Sequence, residues 1–194
     1  MADVMFENPL GIGASFLFKR HVKVRKGTVT TIDSVKLRMD QTGIGLSVML
    51  DSGDFTTQFP DYRKGDAFEL FLATRAMEEV YIYNKFVHHF VFLPDHPEPN
   101  ALEVTKFRSN DSHNLAPFEF LTAKVEKSPA RNTLEIGIDA RALYGFDGAA
   151  EMKGRIAFRV YRHKENPLHF PHDFDRGRIE TNPAVWALLE YTPS

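Results

Sequence analysis

The sequence predicts an all-β protein, an antiparallel β-sandwich with one short helical turn. Apolar and polar residues alternate with a period of two in many segments of this 194-residue chain, whereas the three-and-four spacing of amphipathic helices is rare. The chain also contains 17 Phe, a residue enriched on the half-buried surfaces of strands. Its length and 43% hydrophobic content fit one domain over residues 1–194, with residues 1–14 as a flexible N-terminal arm.

The N-terminal half carries the clearest strand patterns. Apolar residues alternate with charged or small residues in three runs, at 16–25, 35–40 and 44–51. Between the last two runs, Gln41-Thr42-Gly43 is the short glycine-containing linker that a hairpin turn requires. These runs predict a meander of at least three strands.

The centre of the chain is more apolar. Residues 67–73 and 80–93 carry large apolar side chains at odd and even positions alike. This pattern is typical of strands covered on both faces, or of a strand that changes face at a bulge. The polar, proline-containing stretch 94–117 predicts a long surface loop with a short strand near 102–107.

Strand patterns resume in the C-terminal half. They cover residues 118–125, 134–138, 156–160 and 184–191. Asp139 and Gly145 bracket a predicted helical turn, because Asp is a favoured N-cap and Gly commonly ends a helix. Residues 165–182, rich in His, Asp, Arg and Pro, predict a second long loop. About nine short strands and almost no helix are typical of a β-sandwich.

Composition excludes several classes of protein and site. With 24 Lys and Arg against 26 Asp and Glu, the net charge of −2 argues against a nucleic-acid-binding surface. The absence of cysteine excludes disulfides, thiolate metal sites and a cysteine nucleophile. The N-terminus lacks the features of a signal peptide, and no apolar run reaches the ~18 residues that span a bilayer. We therefore expect a cytoplasmic protein that binds neither nucleic acid nor membranes.

Four segments follow one another in a distinctive order. They are Gly43–Asp51, Lys64–Arg75 with its Gly-Asp-x-x-Glu-Leu-Phe-Leu strand, Asn132–Leu143 with a Glu-Ile-x-Ile strand before a helical turn, and Gly154–Val160 with an Ile-x-Phe-x-Val strand. Together they resemble the family 9 carbohydrate-binding-module-like domains. That family also carries a Trp near the C-terminal strand, where this chain has Trp186. The resemblance covers most of residues 34–191.

The resemblance implies a jelly-roll-like sandwich of two antiparallel sheets and, as in the better-known members, sugar binding. Binding members of the family hold a sugar between aromatic rings, commonly Trp, whose faces stack on the C–H face of a pyranose. This chain has a single Trp, and the place of Trp186 in the terminal strand favours core packing. A clamp of two Trp rings therefore cannot form within one chain.

The central strand offers the best candidates for a polar and aromatic binding face. The candidate ligand-binding residues are Tyr81, Tyr83, Asn84, His88 and, on the neighbouring strand, Arg75, with His89 beside them. Planar rings and amides at strand spacing could stack on a sugar and bind its hydroxyl groups. The alternative is a buried strand whose Tyr and His side chains are satisfied internally. For Glu69 and Arg75 a cross-strand ion pair is the alternative role.

Two segments could hold a metal ion, although the sequence predicts no required cofactor. Residues 166–175 concentrate four zinc- or nickel-type ligands, His169, His172, Asp173 and Asp175. Three acidic residues could hold calcium together with backbone carbonyls, Asp51, Asp54 and Asp61. For these acids, the alternative is ordinary solvated turn residues.

The sequence favours a noncatalytic carbohydrate-binding-module-like domain with a sugar or glycan as its ligand. It contains no Gly-x-Ser-x-Gly, phosphate-binding glycine loop or His-Glu-x-x-His motif. The alternative function is a protein–protein interaction module that has kept the fold and lost the sugar site. The sequence does not determine the oligomeric state.

Overall fold

Two β-sheets stacked face to face form the body of this computed structural model. The structure describes residues 21–75, 84–104, 113–171 and 179–193. Within these residues the strands are β1 (His21–Arg25), β2 (Val29–Ile32), β3 (Val35–Asp40), β4 (Gly43–Asp51), β5 (Ala67–Ala73), β6 (Val87–Phe92), β7 (Ala101–Glu103), β8 (Leu121–Glu126), β9 (Arg131–Asp139), β10 (Met152–Tyr161), β11 (Leu168–Phe170) and β12 (Ala187–Thr192). The predicted all-β sandwich is confirmed.

The two sheets differ in size. One has seven strands in the order β1-β12-β10-β5-β6-β7, with β11 also pairing with β10, and the other has five in the order β2-β3-β4-β9-β8. All paired strands are antiparallel except β1 and β12, which run parallel. The N-terminal meander differs from the prediction, because β2, β3 and β4 form it while β1 joins the larger sheet.

The core between the sheets follows directly from the alternation in the sequence. On β3, Val35, Leu37 and Met39 point inward and are buried, while the charged residues between them face outward. The larger sheet contributes inward-facing aromatic and aliphatic residues, Phe68, Leu70, Leu72, Phe90, Phe92, Ile156 and Phe158. Because full burial of one such side chain stabilises a fold by roughly 1.5–3 kcal/mol, this layer is the main source of stability.

The outer face of the larger sheet is covered as well. Every residue of β5 and β6 is buried, as expected from apolar side chains at odd and even positions. The C-terminal segment supplies part of this cover through Ile179, Val185 and Trp186. The Trp186 side chain is only 2% exposed, and its indole Nε1 donates a hydrogen bond to the Ile179 carbonyl at 2.8 Å. Trp186 is therefore a core residue.

The connections differ from the sequence-based expectations in detail. Four 3₁₀ turns occur among the described residues, at Tyr62–Lys64, Phe118–Phe120, Ala140–Ala142 and Pro183–Val185. The predicted turn after Asp139 is one of them, and the Asp139 side chain caps it by accepting a hydrogen bond from the Arg141 backbone N–H. The two predicted loops contain the short strands β7 and β11. No helix in the described part of the chain is long and apolar enough to cross a membrane.

Candidate functional site

Two residues of the predicted binding face, Arg75 and Asn84, meet where β5 ends and β6 begins. The Thr74 N–H donates to the Phe86 carbonyl at 2.9 Å, which continues the β5–β6 pairing beyond the strands. The Arg75 guanidinium carbon lies 4.4 Å from the centre of the Phe86 ring. Asn84 Oδ1 accepts a hydrogen bond from the Phe86 N–H at 2.9 Å. Tyr81 and Tyr83 lie outside the described residues.

An exposed tyrosine that the sequence did not single out lies beside this group. Tyr144 follows the turn after β9 and is 47% exposed. Its ring centre lies 5.5 Å from that of Phe86, and the Lys85 ammonium lies 5.8 Å from the Tyr144 ring centre. We call the patch formed by Arg75, Asn84, Lys85, Phe86 and Tyr144 the Tyr144 surface. The sequence feature that could have indicated an exposed Tyr144 is the Tyr-Gly pair at the end of the predicted helical turn.

The position of Tyr144 is fixed by its backbone neighbours. The Thr74 hydroxyl donates to the Tyr144 carbonyl at 2.6 Å. Gly145 has a φ of +81°, and a Cβ at this position would come within 2.5 Å of Phe86 Cδ1. Glycine is required there for both reasons, because other residues rarely adopt positive φ and a side chain would push against the Phe86 ring. The Tyr144 surface is therefore preorganised.

Beneath the Tyr144 surface, two histidines converge on one buried carboxylate. His88 Nδ1 lies 2.7 Å from Glu103 Oε1, and His113 Nε2 lies 2.8 Å from the same oxygen. Glu103 Oε2 accepts a hydrogen bond from the Ala116 N–H at 2.7 Å. The side chains of His88, Glu103 and His113 are 0%, 1% and 8% exposed. We call these three residues the His-Glu-His cluster.

Strand alternation and register bring this cluster together. His88, Phe90 and Phe92 share the inner face of β6 because they are two residues apart. Glu103 of β7 pairs with Phe90, which places its carboxylate diagonally across from His88. The His113 ring lies nearly parallel to the Tyr144 ring, with centres 6.1 Å apart and an angle of 12°. The cluster therefore supports the Tyr144 surface from below.

Electrostatics keep Glu103 ionised. Burial raises the pKa of its carboxyl group, but hydrogen bonds from His113 and His88 outweigh this effect and lower the pKa to about 2. The hydrogen bond to Glu103 raises the pKa of the His113 imidazole, and burial opposes that change. The nearby Lys85 backbone also raises the pKa of His113. Among the described residues, His113 Nδ1 has no partner positioned for a complete hydrogen bond.

The structure places His88 inside the sandwich, where its ring cannot stack on a ligand. The sequence left open a buried strand whose polar side chains are satisfied internally, and His88 and His89 fit that alternative. The sequence could not show whether His88 is exposed or buried, because this strand carries apolar residues on both faces. Alternation cannot identify an exposed face when both faces are covered.

A second buried charge network lies on the outer face of the larger sheet. Glu69 is fully buried and pairs in register with Arg159, whose Nη1 lies 3.6 Å from Glu69 Oε2. The predicted cross-strand ion pair of Glu69 is thus formed with Arg159, and Arg75 lies over Phe86. Four further side chains contact the Glu69 carboxylate, and they are Tyr62 at 2.8 Å, Arg63 at 3.0 Å, His89 at 3.2 Å and Tyr161 at 3.0 Å.

This network also shifts ionisation equilibria. Burial raises the pKa of Glu69, but the hydrogen bond and charge of His89, the charge of Arg63 and the Tyr62 hydroxyl together lower it to about 2. Burial and the neighbouring Glu69 charge raise the pKa of Tyr161 to about 12. Glu180 also bridges the two arginines, Arg63 and Arg159. Every partner of Glu69 stabilises its charged form, which identifies a structural ion network.

A shallow groove of about 650 Å³ crosses the outer face of the five-stranded sheet. Gly45 and Gly137 pair directly at its floor. A Cβ at Gly137 would come within 2.6 Å of Thr122 Oγ1, so a neighbouring side chain covers part of this floor. Beside the two glycines, the Ser47 hydroxyl donates to Glu135 Oε2 at 2.7 Å. The remaining polar lining includes Lys36, Arg38, Thr122 and Lys124. We call this depression the glycine groove.

The predicted metal site at 166–175 stays a prediction, because the structure describes only one of its four ligands. His169 is half-buried on β11, whereas His172, Asp173 and Asp175 lie outside the described ranges. Three candidate calcium ligands, Asp51, Asp54 and Asp61, are exposed, and Asp61 pairs with Lys64 at 2.8 Å. Within the described part of the chain, the one convergent set of three metal-binding side chains is the His-Glu-His cluster.

Solved structures share this fold. A family 9 carbohydrate-binding module from Caldicellulosiruptor kristjanssonii, in complex with cellotriose, matches with a TM-score of 0.62 and 12% identity, over 90% of this chain and 95% of the module. Its structure with glucose gives the same score and identity, over 90% of this chain and 97% of that one. A candidate carbohydrate-binding protein from Bacteroides uniformis matches with a TM-score of 0.51 and 10% identity, over 81% and 77% of the two chains.

No protein-family model and no curated protein gives a significant match to this sequence. At 10–12% identity, the structural matches establish the fold alone. They agree with the order of strand motifs in the sequence, which resembles the same family. The chain therefore has the β-sandwich fold of the family 9 carbohydrate-binding modules.

Proposed function

We propose that this chain is a noncatalytic module that binds carbohydrate at the Tyr144 surface. The observation that carries the proposal is the exposed Tyr144 ring, which lies beside Phe86. The Lys85 ammonium lies 5.8 Å from the Tyr144 ring centre, and the Arg75 guanidinium carbon lies 4.4 Å from the Phe86 ring centre. Further support comes from the fold, which is shared with a module solved in complex with cellotriose and with glucose. Glucose and β-linked glucans are therefore the first ligands to test.

The chemistry of this surface suits a sugar. A tyrosine ring offers an apolar face to the C–H groups of a pyranose, and its hydroxyl can bind one of the sugar hydroxyls. The guanidinium, ammonium and amide groups of Arg75, Lys85 and Asn84 can serve the remaining hydroxyl groups. Because the Thr74 hydrogen bond and the Gly145 packing already fix Tyr144, little ordering is required when a ligand binds.

The glycine groove is the competing location. It offers hydroxyl, carboxylate and ammonium groups for sugar hydroxyls beside a floor of two paired glycines. Its aromatic lining in the described residues is Phe120, whose ring lies 4.2 Å from the Arg141 guanidinium carbon. Phe120 is partly buried against the core, whereas Tyr144 is 47% exposed. We therefore favour the Tyr144 surface.

A glycan array that includes glucose and β-glucan oligosaccharides tests the proposal. Wild-type protein is expected to bind at least one glycan, and Tyr144→Ala is expected to weaken that binding by about tenfold or more. Tyr144→Phe is the matched control, because it keeps the ring and should retain most of the affinity.

Two outcomes would contradict the proposal. Loss of binding in Ser47→Ala with full binding in Tyr144→Ala would transfer the site to the glycine groove. A blank array with folded wild-type protein would favour the protein–protein interaction module, and partner capture would then be the next experiment.

A further inference from the structure

We infer that the His-Glu-His cluster is a binding site for a divalent transition metal ion such as Zn²⁺. The ligands would be His88 Nδ1, one oxygen of Glu103 and His113 Nε2. These three atoms lie within 4.8 Å of one another inside the end of the sandwich that carries the Tyr144 surface. The inference does not depend on carbohydrate binding.

The hydrogen-bond pattern is the first argument. Both imidazoles direct a ring nitrogen at the same oxygen of Glu103, at 2.7 Å and 2.8 Å. One ion placed between the three groups would satisfy all of them at once. Two neutral imidazoles and a carboxylate form a donor set that binds zinc and other first-row transition metals well. Calcium prefers oxygen ligands alone, which argues against it here.

The required movement is small. Metal–ligand bonds of about 2.0–2.2 Å in tetrahedral geometry place ligand atoms about 3.4 Å apart. The two imidazole-to-carboxylate distances of 2.7 Å and 2.8 Å would therefore lengthen by about 0.6–0.7 Å, which side-chain torsions can supply. Three protein ligands leave a fourth position, which a water molecule would fill.

Outer contacts already hold two of the ligands in place. The Ala116 N–H binds Glu103 Oε2 at 2.7 Å, which leaves Oε1 directed at the two rings. In the metal-free fold His88 Nδ1 donates to Glu103. On metal binding its proton would move to Nε2, which lies 3.5 Å from the Tyr144 carbonyl, and Nδ1 would then bind the ion. Such contacts fix the tautomer and orientation of metal-binding histidines.

The location suggests what the ion would do. His88 and Glu103 belong to neighbouring strands, whereas His113 lies beyond the end of β7 and its ring runs nearly parallel to that of Tyr144. A shared ion would tie the His113 segment to the sheet and hold the ring beside Tyr144. It would therefore stabilise this end of the sandwich.

Zinc titration of the full-length, metal-stripped protein tests the inference, with no glycan present. Calorimetry is expected to show one Zn²⁺ per chain, and Co²⁺ is expected to give the visible absorption bands of a low-coordinate site with imidazole ligands. His113→Ala and Glu103→Gln should each weaken Zn²⁺ binding by tenfold or more. His113→Gln provides a second variant at the more peripheral ligand, and circular dichroism verifies that each variant is folded.

His96→Ala is the matched control, because His96 lies in the β6–β7 turn at the other end of that hairpin. It should bind Zn²⁺ as wild type does. Absence of one-to-one binding by the wild-type protein would overturn the inference. So would unchanged binding in folded His113→Ala or His113→Gln, or loss of binding in His169→Ala alone, which would assign the ion to the loop at 166–175.

Discussion

Nδ1 of His88 lies 2.7 Å from Oε1 of Glu103, and neither side chain reaches solvent. A carboxylate on the inner face of a sandwich loses its hydration, so it persists only where hydrogen bonds or charges replace the lost water. Here His88, His113 and the Ala116 N–H supply them. Stability and metal binding therefore depend on the same three side chains.

Removal of the Glu103 carboxylate should destabilise the protein even without metal. We expect Glu103→Ala to lower the free energy of unfolding by about 3–5 kcal/mol, because the two imidazoles lose their buried partner. Urea unfolding in the presence of a chelator measures this change. Glu126→Ala, at an exposed position at the end of β8, should change stability by less than about 0.5 kcal/mol. Equal effects of the two substitutions would contradict the described role of Glu103.

Glu69 should make stability depend on acidic pH. Its pKa in the fold is about 2, below its usual value of 4.5, so folding favours the ionised form. This contribution, on the order of 3 kcal/mol, is complete above about pH 4.5 and is lost as the pH falls toward 2. The surrounding charged and titratable groups are Tyr62, Arg63, His89, Arg159 and Tyr161.

The difference between wild type and Glu69→Gln isolates this effect from that of Glu103. Urea unfolding between pH 5 and pH 2.5 should show a shallower loss of stability in Glu69→Gln. Parallel curves for the two proteins would show that the Glu69 network does not lower the pKa of its carboxyl group.

Gly145 should be more sensitive to substitution than a glycine of similar backbone geometry. Gly145 and Gly27 have φ values of +81° and +69°, but a Cβ at Gly27 would meet nothing within 4 Å. Gly27→Ala should cost about 1–2 kcal/mol for the left-handed backbone alone. Gly145→Ala should cost more, because its Cβ would collide with the Phe86 ring. Thermal unfolding compares the two, and equal losses would contradict the close approach at Gly145.

The single Trp offers a direct optical test of the core. Because Trp186 is 2% exposed, native fluorescence should be blue-shifted and resist quenching by acrylamide, and unfolding should shift it to longer wavelength. Trp186→Ala should cost about 3–5 kcal/mol. Ready quenching in the folded protein would contradict the burial of Trp186 beneath residues 179–185.

Local pattern was enough to predict most strands of the sandwich. The apolar run at Ala67–Ala73 became β5 with the same bounds, and the turn after Asp139 formed as its capping residues indicate. The pairing of β1 with β12 was not predictable, because strands distant in sequence pair through tertiary contacts that alternation does not encode. The strand β11 has only three residues inside a stretch rich in His and Pro, which gives too little periodicity to detect.

The candidate site was less predictable than the fold. Arg75 and Asn84 do lie together, but Tyr144 joins them from another part of the chain through the hydrogen bond to Thr74. Glu103 meets His88 only because β7 pairs with β6 in one particular register. A stretch with few apolar residues, such as 94–117, gives no indication of which polar side chain will be buried.

Calorimetric titration of wild type, Tyr144→Ala and Tyr144→Phe with the best glycan from the array measures carbohydrate binding at the Tyr144 surface. We expect saturable binding by wild type, similar binding by Tyr144→Phe, and an affinity about tenfold lower or undetectable for Tyr144→Ala. Equal affinities of wild type and Tyr144→Ala, both folded, would contradict carbohydrate binding at this surface.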